Sequence, residues 1–577
     1  MGAVNLKIAE IFSEIADLLE IQSANPFRVR AYRNAARTIG ELGTDVTEWI
    51  ARGKDLRSLP GIGEDLAAKV REIINTGESS FLKRQQQALP PAITQLLRLP
   101  GLGPKRVRLL HDELGVQSLE ELVSAAREGR IRDVPGFGPK TEQRIVEAIQ
   151  RHLGEATARR LKLSTATQYA QALTDHLCAL KVVRRVDVAG SFRRVRETVG
   201  DLDILVIAED SAAVMQRLAA YSDVQKVLSA GPTRGSVLLR GGLQVDVRII
   251  EPESYGAALQ YFTGSKAHNI AVRRLAQERG LKMNEYGVFR GRKRVAGDSE
   301  ESVYAAVGLP WIPPELREDR GEVEAAQEGS LPNLIELSDL RGDLHVHTKA
   351  SDGHNTPEEM ALAAQAEALE YIAITDHSRH LTVAHGLDPI RLGKQIDEIK
   401  RLNNKLTGVA VLSGVEVDIL EDGSLDLPDS TLSRLDIVVA AVHSKFDLPR
   451  NKQTARILKA MDNPHVRLLA HPTGRLIGER EPYEADVLRI IRHAKSRGVC
   501  LELNAQPERL DLSEAHCRMA KDEGVQVCIS SDAHSTLGFV NLRWGVGQAR
   551  RGWLEKADIL NTRTLRDLRK WLKAKAG

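Results

Sequence analysis

Four apolar runs in the second half of this chain each end on a histidine or a carboxylate. They are Tyr371-Ile-Ala-Ile-Thr-Asp-His377, Val411-Leu-Ser-Gly-Val-Glu416, Ile437-Val-Val-Ala-Ala-Val-His443 and Val466-Arg-Leu-Leu-Ala-His471. Short apolar runs with polar C-terminal ends, separated by helical stretches, constrain the fold to strands and helices in alternation. A βα barrel of this kind builds its site at the C-terminal strand ends. The series extends to Asp343-Leu-His345-Val-His347, Ser351-Asp352-Gly353 and Asp532-Ala-His534. A lone His on an apolar segment is normally a satisfied core residue. Core packing does not explain a whole set at strand ends: His345, His347, Asp352, His377, Glu416, His443, His471, Asp532 and His534. Such donors hold Zn, Mn or Fe in hydrolytic centres.

At 577 residues and 42% hydrophobic content, the chain has material for several cores. Its four cysteines (Cys178, Cys500, Cys517, Cys528) form no CxxC pair, which points to free thiols in a reducing compartment. There is no basic-then-apolar leader, and no run nears the roughly 18 apolar residues of a membrane helix. The expectation is a soluble intracellular protein without a membrane partner. Residues 1–320 carry 47 Lys and Arg against 40 Asp and Glu, and residues 321–577 carry 34 against 38. A basic half beside an acidic, His-rich half suits a polyanion-binding module next to a metal-binding one; ordinary solvated surfaces would give the same counts. The halves meet at Leu309-Pro-Trp-Ile-Pro-Pro314 and the acidic stretch from Glu315 to Glu328, a linker by composition.

Residues 1–150 read as short amphipathic helices with an internal repeat: Leu59-Pro-Gly-Ile-Gly63, Leu99-Pro-Gly-Leu-Gly103 and Val134-Pro-Gly-Phe-Gly138, spaced by 40 and 35 residues. Glycines let the backbone turn tightly, and the following helix begins with unpaired N–H groups. Each turn is therefore an anion site blind to sequence, built on Gly61, Gly63, Gly101, Gly103, Gly136 and Gly138, with Lys105 and Lys140 adding charge. The repeats resemble helix–hairpin–helix motifs, which grip the DNA backbone in a salt-dependent way.

A second carboxylate set lies between. In Gly190-Ser-Phe-Arg-Arg-Val-Arg-Glu-Thr-Val-Gly-Asp-Leu-Asp203, strand alternation puts Asp201 and Asp203 on one face. Asp246, in Leu243-Gln-Val-Asp-Val-Arg-Ile249, would complete a triad from a neighbouring strand. Three carboxylates seat two divalent cations for phosphoryl transfer, and Ser191 and Arg194 offer donors to a triphosphate. In this order the elements point to a nucleotidyltransferase.

With these motifs the chain resembles, over nearly its whole length, the bacterial family X DNA polymerases that carry a C-terminal polymerase-and-histidinol-phosphatase (PHP) domain. The resemblance runs through Asn25-Pro-Phe-Arg-Val-Arg-Ala-Tyr-Arg33, the first two hairpins, Gly190-Ser-Phe-Arg-Arg194, Gly200-Asp-Leu-Asp203 and Asp246. It continues through Tyr261-Phe-Thr-Gly-Ser-Lys-Ala-His-Asn269, Asn284-Glu-Tyr286 and all nine PHP positions. It implies a multidomain fold: an α-helical helix–hairpin–helix N-terminal region, an α+β nucleotidyltransferase palm and thumb, and a C-terminal distorted βα (TIM-like) PHP barrel. The boundaries expected are a lyase-like helical domain over 1–85, a helix–hairpin–helix subdomain over 86–160 and a palm over 161–250. A thumb over 251–312, a linker over 313–338 and the PHP domain over 339–577 follow.

By the same resemblance, Asp201, Asp203 and Asp246 bind Mg²⁺ or Mn²⁺ and do the catalysis, and Ser191, Arg194 and Gly200 hold the dNTP. Tyr261, Phe262 and Gly264 line its sugar pocket, Asn269 lies near its base and Arg273 leans on the template. In the PHP half, up to three Mn²⁺ or Zn²⁺ ions are implied. His345, His347, Glu416 and Asp532 would hold the first, Glu416 with His443 and His471 the second, and Asp352, His377 and His534 the third. Asp343 and Asp376 would orient histidines, and Arg475 and Arg509 would contact phosphate. Lys69 matches the Schiff-base lysine of the animal repair enzyme, yet Asp65 and Arg28 stand where that enzyme has supporting lysines, and Asp65 opposes a lowered amine pKa. Lys266 stands where that enzyme has Asp. The implied protein is a monomer in the bacterial cytoplasm, associated with the nucleoid. It would fill short gaps in base excision repair on gapped or primer-template DNA with dNTPs. Its PHP domain would be a 3′–5′ exonuclease, with apurinic-site cleavage and 3′-end cleaning as extensions. The alternatives are a repair nuclease whose polymerase half mainly binds gapped DNA, and a phosphatase of small esters.

Overall fold

The computed structural model describes residues 3–22, 24–40, 42, 46–87, 96, 102–139, 141–143, 145–146 and 160–574. The chain divides into two compact units, one essentially residues 1–159 and the other from Arg160 onward.

The first unit is helical, with helices Ala3–Ile21, Pro26–Gly40, Val46–Ala51, Glu64–Thr76, Ser80–Gln87, Pro104–Leu114 and Leu119–Arg127. Ile8, Phe12, Ile15 and Leu18 recur at helical spacing on the first helix and are fully buried. Val107, Leu110, Leu122, Ile131 and Val134 belong to a second cluster under the later hairpins.

In the second unit, a five-stranded sheet runs Val183–Val188, Asp201–Ala208, Gln244–Ile249, Arg234–Leu239, Val224–Ala230 in spatial order. The pairing of Asp201–Ala208 with Gln244–Ile249 is parallel and all others are antiparallel. Leu205, on the face shared by Asp201 and Asp203, packs against Tyr255 and Ala258 of the helix Tyr255–Thr263. Asp201, at the start of the strand, stays exposed.

The helices Lys266–Glu278 and Glu300–Ala306 with the antiparallel strands Lys282–Asn284, Gly287–Arg290 and Lys293–Ala296 form the next layer. The stretch 313–338, expected as a linker, is packed instead. Leu316, Val323, Ala326 and Leu334 are buried with Val272, Val303 and Tyr304. Three of its acids are partnered rather than solvated: Glu315 by Arg550, Glu318 by Arg194 and Arg551, Glu322 by His268. Thinly spaced apolar residues among charges hid this packing from composition.

Seven parallel strands follow in sequence order: Gly342–Val346, Tyr371–Ile374, Ala410–Asp418, Ile437–Ala441, Val466–Leu469, Cys500–Asn504 and Val527–Ser530. A parallel bridge between Val346 and Ala533 links the first to the end of the last, so the sheet is a nearly closed barrel. Alternate residues divide between two cores. Ile372, Ile374, Val438 and Ala440 pack with surrounding helices, whereas Tyr371, Ala373, Ile437 and Val439 pack with Leu568 and Leu572 of the last helix. Among the described residues, no helix is long and apolar enough to cross a membrane.

Candidate active sites

The sheet register sets the aspartate triad. Asp203 stands opposite Asp246 on the neighbouring parallel strand, and Asp201 lies two residues earlier on the same face. Burial, then the charges of Asp201 and Asp246, push Asp203 up to about 7. Gln244 Nε2 donates to Asp246 Oδ2 at 3.0 Å, whereas the buried Asp246 Oδ1 has no hydrogen-bond partner. Converging carboxylates with an unsatisfied oxygen are a donor set for divalent cations. The turn at Gly190-Ser191 passes close by: Gly190 has φ of 65°, and a Cβ there would stand 2.6 Å from Asp203 Oδ2. Only glycine permits that approach.

Arg194 lies on this turn, largely buried, its Nε donating to Glu318 Oε1 at 3.1 Å and its Nη1 to the Thr263 carbonyl. Burial lowers its pKa against the pull of Glu318. Gly264 is adjacent, 3.1 Å separating its virtual Cβ from Arg194 Nη1. The rings of Tyr261 and Phe262 meet edge-on at 5.0 Å, with Arg273 over Tyr261 and Arg248 over Phe262. Asn269 is oriented by Gln260 Nε2 at 2.8 Å and donates to the Tyr261 carbonyl at 2.7 Å. Gly200 is buried beside Arg160. Glu318, absent from the sequence reading, lies more than a hundred residues from Arg194, and no local pattern marks it.

In the helical unit, Gly63 and Gly103 cap the helices Glu64–Thr76 and Pro104–Leu114, and Gly138 accepts the first helical bonds of its own helix. Gly61 and Gly136 have φ of 72° and 83°. A Cβ on Gly63, Gly103, Gly136 or Gly138 would meet nothing within 4 Å, so no described side chain or backbone covers the Cα of these glycines. Lys105 is exposed there; Gly101 and Lys140 lie outside the described residues. Lys69 forms an ion pair with Asp65.

At the barrel mouth all nine expected positions come together. Glu416, 1% exposed, is surrounded by His377 Nδ1 at 2.8 Å, His471 Nε2 at 3.0 Å, His443 Nε2 at 3.1 Å and His345 Nε2 at 3.4 Å. Asp532 Oδ1 lies 3.1 Å from His347 Nε2, and Asp352 Oδ2 lies 3.4 Å from His534 and 3.5 Å from His377. Three groups have ligand atoms mutually within 4.8 Å: His347, Asp352, His377 and His534; His345, His347 and Asp532; His377, Glu416 and His443. His347 and His377 thus each serve two groups. His471 and Asp532 have positive φ, 27° and 51°, a strained backbone of the kind kept at functional sites.

These residues fit a cation cluster on their own chemistry. Among the described residues, His345 Nε2, His347 Nε2, His377 Nδ1 and Asp532 Oδ1 are buried without a hydrogen-bond partner, despite their short separations from one another or from Glu416. Lone pairs that converge instead of meeting donors leave a charge to be supplied between them. Burial opposes ionisation of Glu416, but the charges of His377, His443 and His345 outweigh it and hold its pKa well below the usual range.

The carboxylates that orient the rings differ from those expected. Glu502 Oε1 holds His345 Nδ1 at 2.7 Å, and its Oε2 accepts from the His471 backbone N–H at 2.7 Å; Asp418 Oδ1 holds His443 Nδ1 at 2.6 Å. Asp343 instead binds Ser531 and the His345 backbone, and Asp376 binds Thr348, Ser351 and Gln395, so both fix loops and not rings. Arg475, expected at phosphate, is engaged by Glu197 Oε2 at 2.8 Å and by the Arg509 and Leu510 carbonyls. Glu416 and Asp418 share a strand face, a signal that could have found Asp418. Asp418→Asn is expected to weaken metal affinity and barrel activity about 10–100-fold with polymerisation unchanged, as bound metal and rate assays would read.

Together, an aspartate-triad palm and a His/carboxylate barrel mouth define an enzyme class with two phosphate-chemistry sites on one chain. Family models agree: a helix-hairpin-helix domain matches residues 3–79 and a SAM-like helix-hairpin-helix tandem 93–151. The DNA polymerase beta thumb matches 258–318 and the PHP domain 343–506. The DNA polymerase/3′–5′ exonuclease PolX of Bacillus subtilis is 40% identical over 572 residues, covering 98% of this chain and 99% of the relative. The chain belongs to that family. A probable phosphatase of Thermoanaerobacter is 32% identical over 234 residues, 38% of this chain and 89% of the relative. Among solved structures, the ternary P/T complex of Leishmania infantum polymerase beta is similar at 22% identity, over 39% of this chain and 98% of that one, with a TM-score of 0.26.

Proposed function

We propose that this chain is a family X DNA polymerase filling short gaps in base excision repair, and that its PHP barrel is a metal-dependent 3′–5′ exonuclease. The observation that carries the reading is an aspartate triad in register within the same chain as the His/carboxylate cluster. Full-length similarity to a named polymerase/3′–5′ exonuclease supports it.

In the palm, Asp201, Asp203 and Asp246 hold Mg²⁺ or Mn²⁺, and Asp246 helps to activate the primer 3′-hydroxyl. Ser191, Arg194 and Gly200 bind the triphosphate, Tyr261, Phe262 and Gly264 line the sugar, and Asn269 and Arg273 face the base and template. In the barrel, His345, His347, Asp352, His377, Glu416, His443, His471, Asp532 and His534 hold up to three Mn²⁺ or Zn²⁺ ions. When bound, these cations supply hydroxide near neutral pH and neutralise developing phosphate charge. Glu502 and Asp418 keep the His345 and His443 rings aimed at the cluster. The hairpin glycines, with Lys105 and Lys140, grip DNA phosphates irrespective of sequence. Lyase chemistry at Lys69 stays outside this reading, because the side chain is engaged by Asp65 in an ion pair. The protein acts as a cytoplasmic monomer.

On a duplex with a one-nucleotide gap, Mg²⁺ and the matching dNTP should give a primer longer by one; Mn²⁺ without dNTP should give a ladder shortened from the 3′ end. Shortening without any extension would favour the nuclease-with-DNA-grip reading.

A further inference from the structure

We infer that Arg551, in the barrel, is a positioning residue for the polymerase site, so that nucleotide binding in the palm depends on the barrel; this rests on reading Arg194 as a triphosphate contact. The helix Leu542–Arg551 follows the segment bearing Asp532 and His534, and the side chain of its last residue is 1% exposed. Arg551 Nη1 donates to the Arg194 carbonyl at 2.7 Å and to Glu318 Oε1 at 3.0 Å, and Nη2 donates to Glu514 Oε1 at 3.1 Å. Glu318 Oε1 is the oxygen that also accepts from Arg194 Nε at 3.1 Å. One buried guanidinium therefore holds Arg194 by its backbone directly and by its side chain through Glu318.

The neighbouring residues repeat the theme. Val195 has φ of 55°, a conformation a β-branched residue keeps only when its surroundings impose it. The barrel imposes it: a Cβ on Gly547 would stand 2.5 Å from Val195 Cγ1. Two residues on, Glu197 is paired to Arg475, four residues beyond His471. Glu318 is thus shared among Arg194, Arg551 and, less closely, Arg196. Without Arg551 its charge falls on Arg194, at 3.1 Å, and on the more distant Arg196, at 3.6 Å, drawing the Arg194 guanidinium toward the carboxylate and weakening its hold on an anionic ligand.

The test is steady-state gap filling by the full chain on a one-nucleotide-gap duplex, with the exonuclease rate on the same DNA and the melting temperature measured alongside. Arg551→Ala is expected to raise KM for dNTP about tenfold. Its kcat should change less than about threefold and its exonuclease rate less than about twofold. Arg551→Lys, which keeps the charge without the fork, should raise KM about threefold. Gly547→Ala, favourable for its own helix but pressed onto Val195, should raise KM in the same direction. If Arg194→Ala raises KM while Arg551→Lys and Gly547→Ala match the parent, the inference is overturned and the reading of Arg194 stands. If Arg194→Ala leaves KM unchanged, that reading falls and the inference with it. Parallel losses of kcat, exonuclease and melting temperature in every barrel variant would mark a merely structural role and overturn it too.

Discussion

Asp203→Ala is expected to lower dNTP incorporation on gapped DNA at least about 10³-fold while leaving 3′ shortening within about twofold. Asp203 is the centre of the triad, opposite Asp246 in register and beside Asp201. Its pKa, raised to about 7 by burial and by those two charges, measures how strongly the site resists three bare carboxylates. Two consequences have definite signs. A carboxyl whose folded pKa exceeds its unfolded value costs the fold stability as pH rises from the unfolded value through about 7. In EDTA above pH 7, Asp203→Ala should therefore melt at a higher temperature than the parent, which separates lost chemistry from lost folding. Cations compete with the Asp203 proton, so the Mg²⁺ needed for half-maximal polymerisation should fall as pH rises through about 7. A variant that melted lower and kept incorporating dNTP would contradict both parts.

Glu416→Gln is expected to abolish 3′ shortening, by at least about 10³-fold, with polymerisation retained. The amide keeps the volume of a side chain around which five imidazoles, those of His345, His347, His377, His443 and His471, lie within 4 Å, and removes the negative charge they share. Because burial alone would favour the neutral form, the depressed pKa of Glu416 shows that those imidazoles hold it ionised. Losing that charge should cost the barrel bound metal, measurable by elemental analysis after dialysis. Unchanged metal content and unchanged shortening would remove Glu416 from the centre.

Much of both sites was legible because strand periodicity carries it. Asp201 and Asp203 share a face by alternation, and His377, His443 and His471 each follow an apolar run two or three residues past the end of its strand. The same periodicity does not tell a carboxylate facing the cluster from one behind a ring, so Glu502 and Asp418 were missed and Asp343 and Asp376 were given their task. Long-range pairings left no local trace. Glu318 holding Arg194, and Glu197 engaging Arg475, join segments far apart in sequence. Composition also misled at 313–338, where acids that read as solvated turn out to face arginines and a buried histidine.

The central claim is that one chain lengthens and shortens the same DNA 3′ end at two separate sites. A 5′-labelled primer in a one-nucleotide gap, incubated with divalent cation with and without dNTP, tests it across the parent, Asp203→Ala and Glu416→Gln. Asp203→Ala should only shorten the primer, and Glu416→Gln should only lengthen it. Loss of both activities in either well-folded variant would contradict the account.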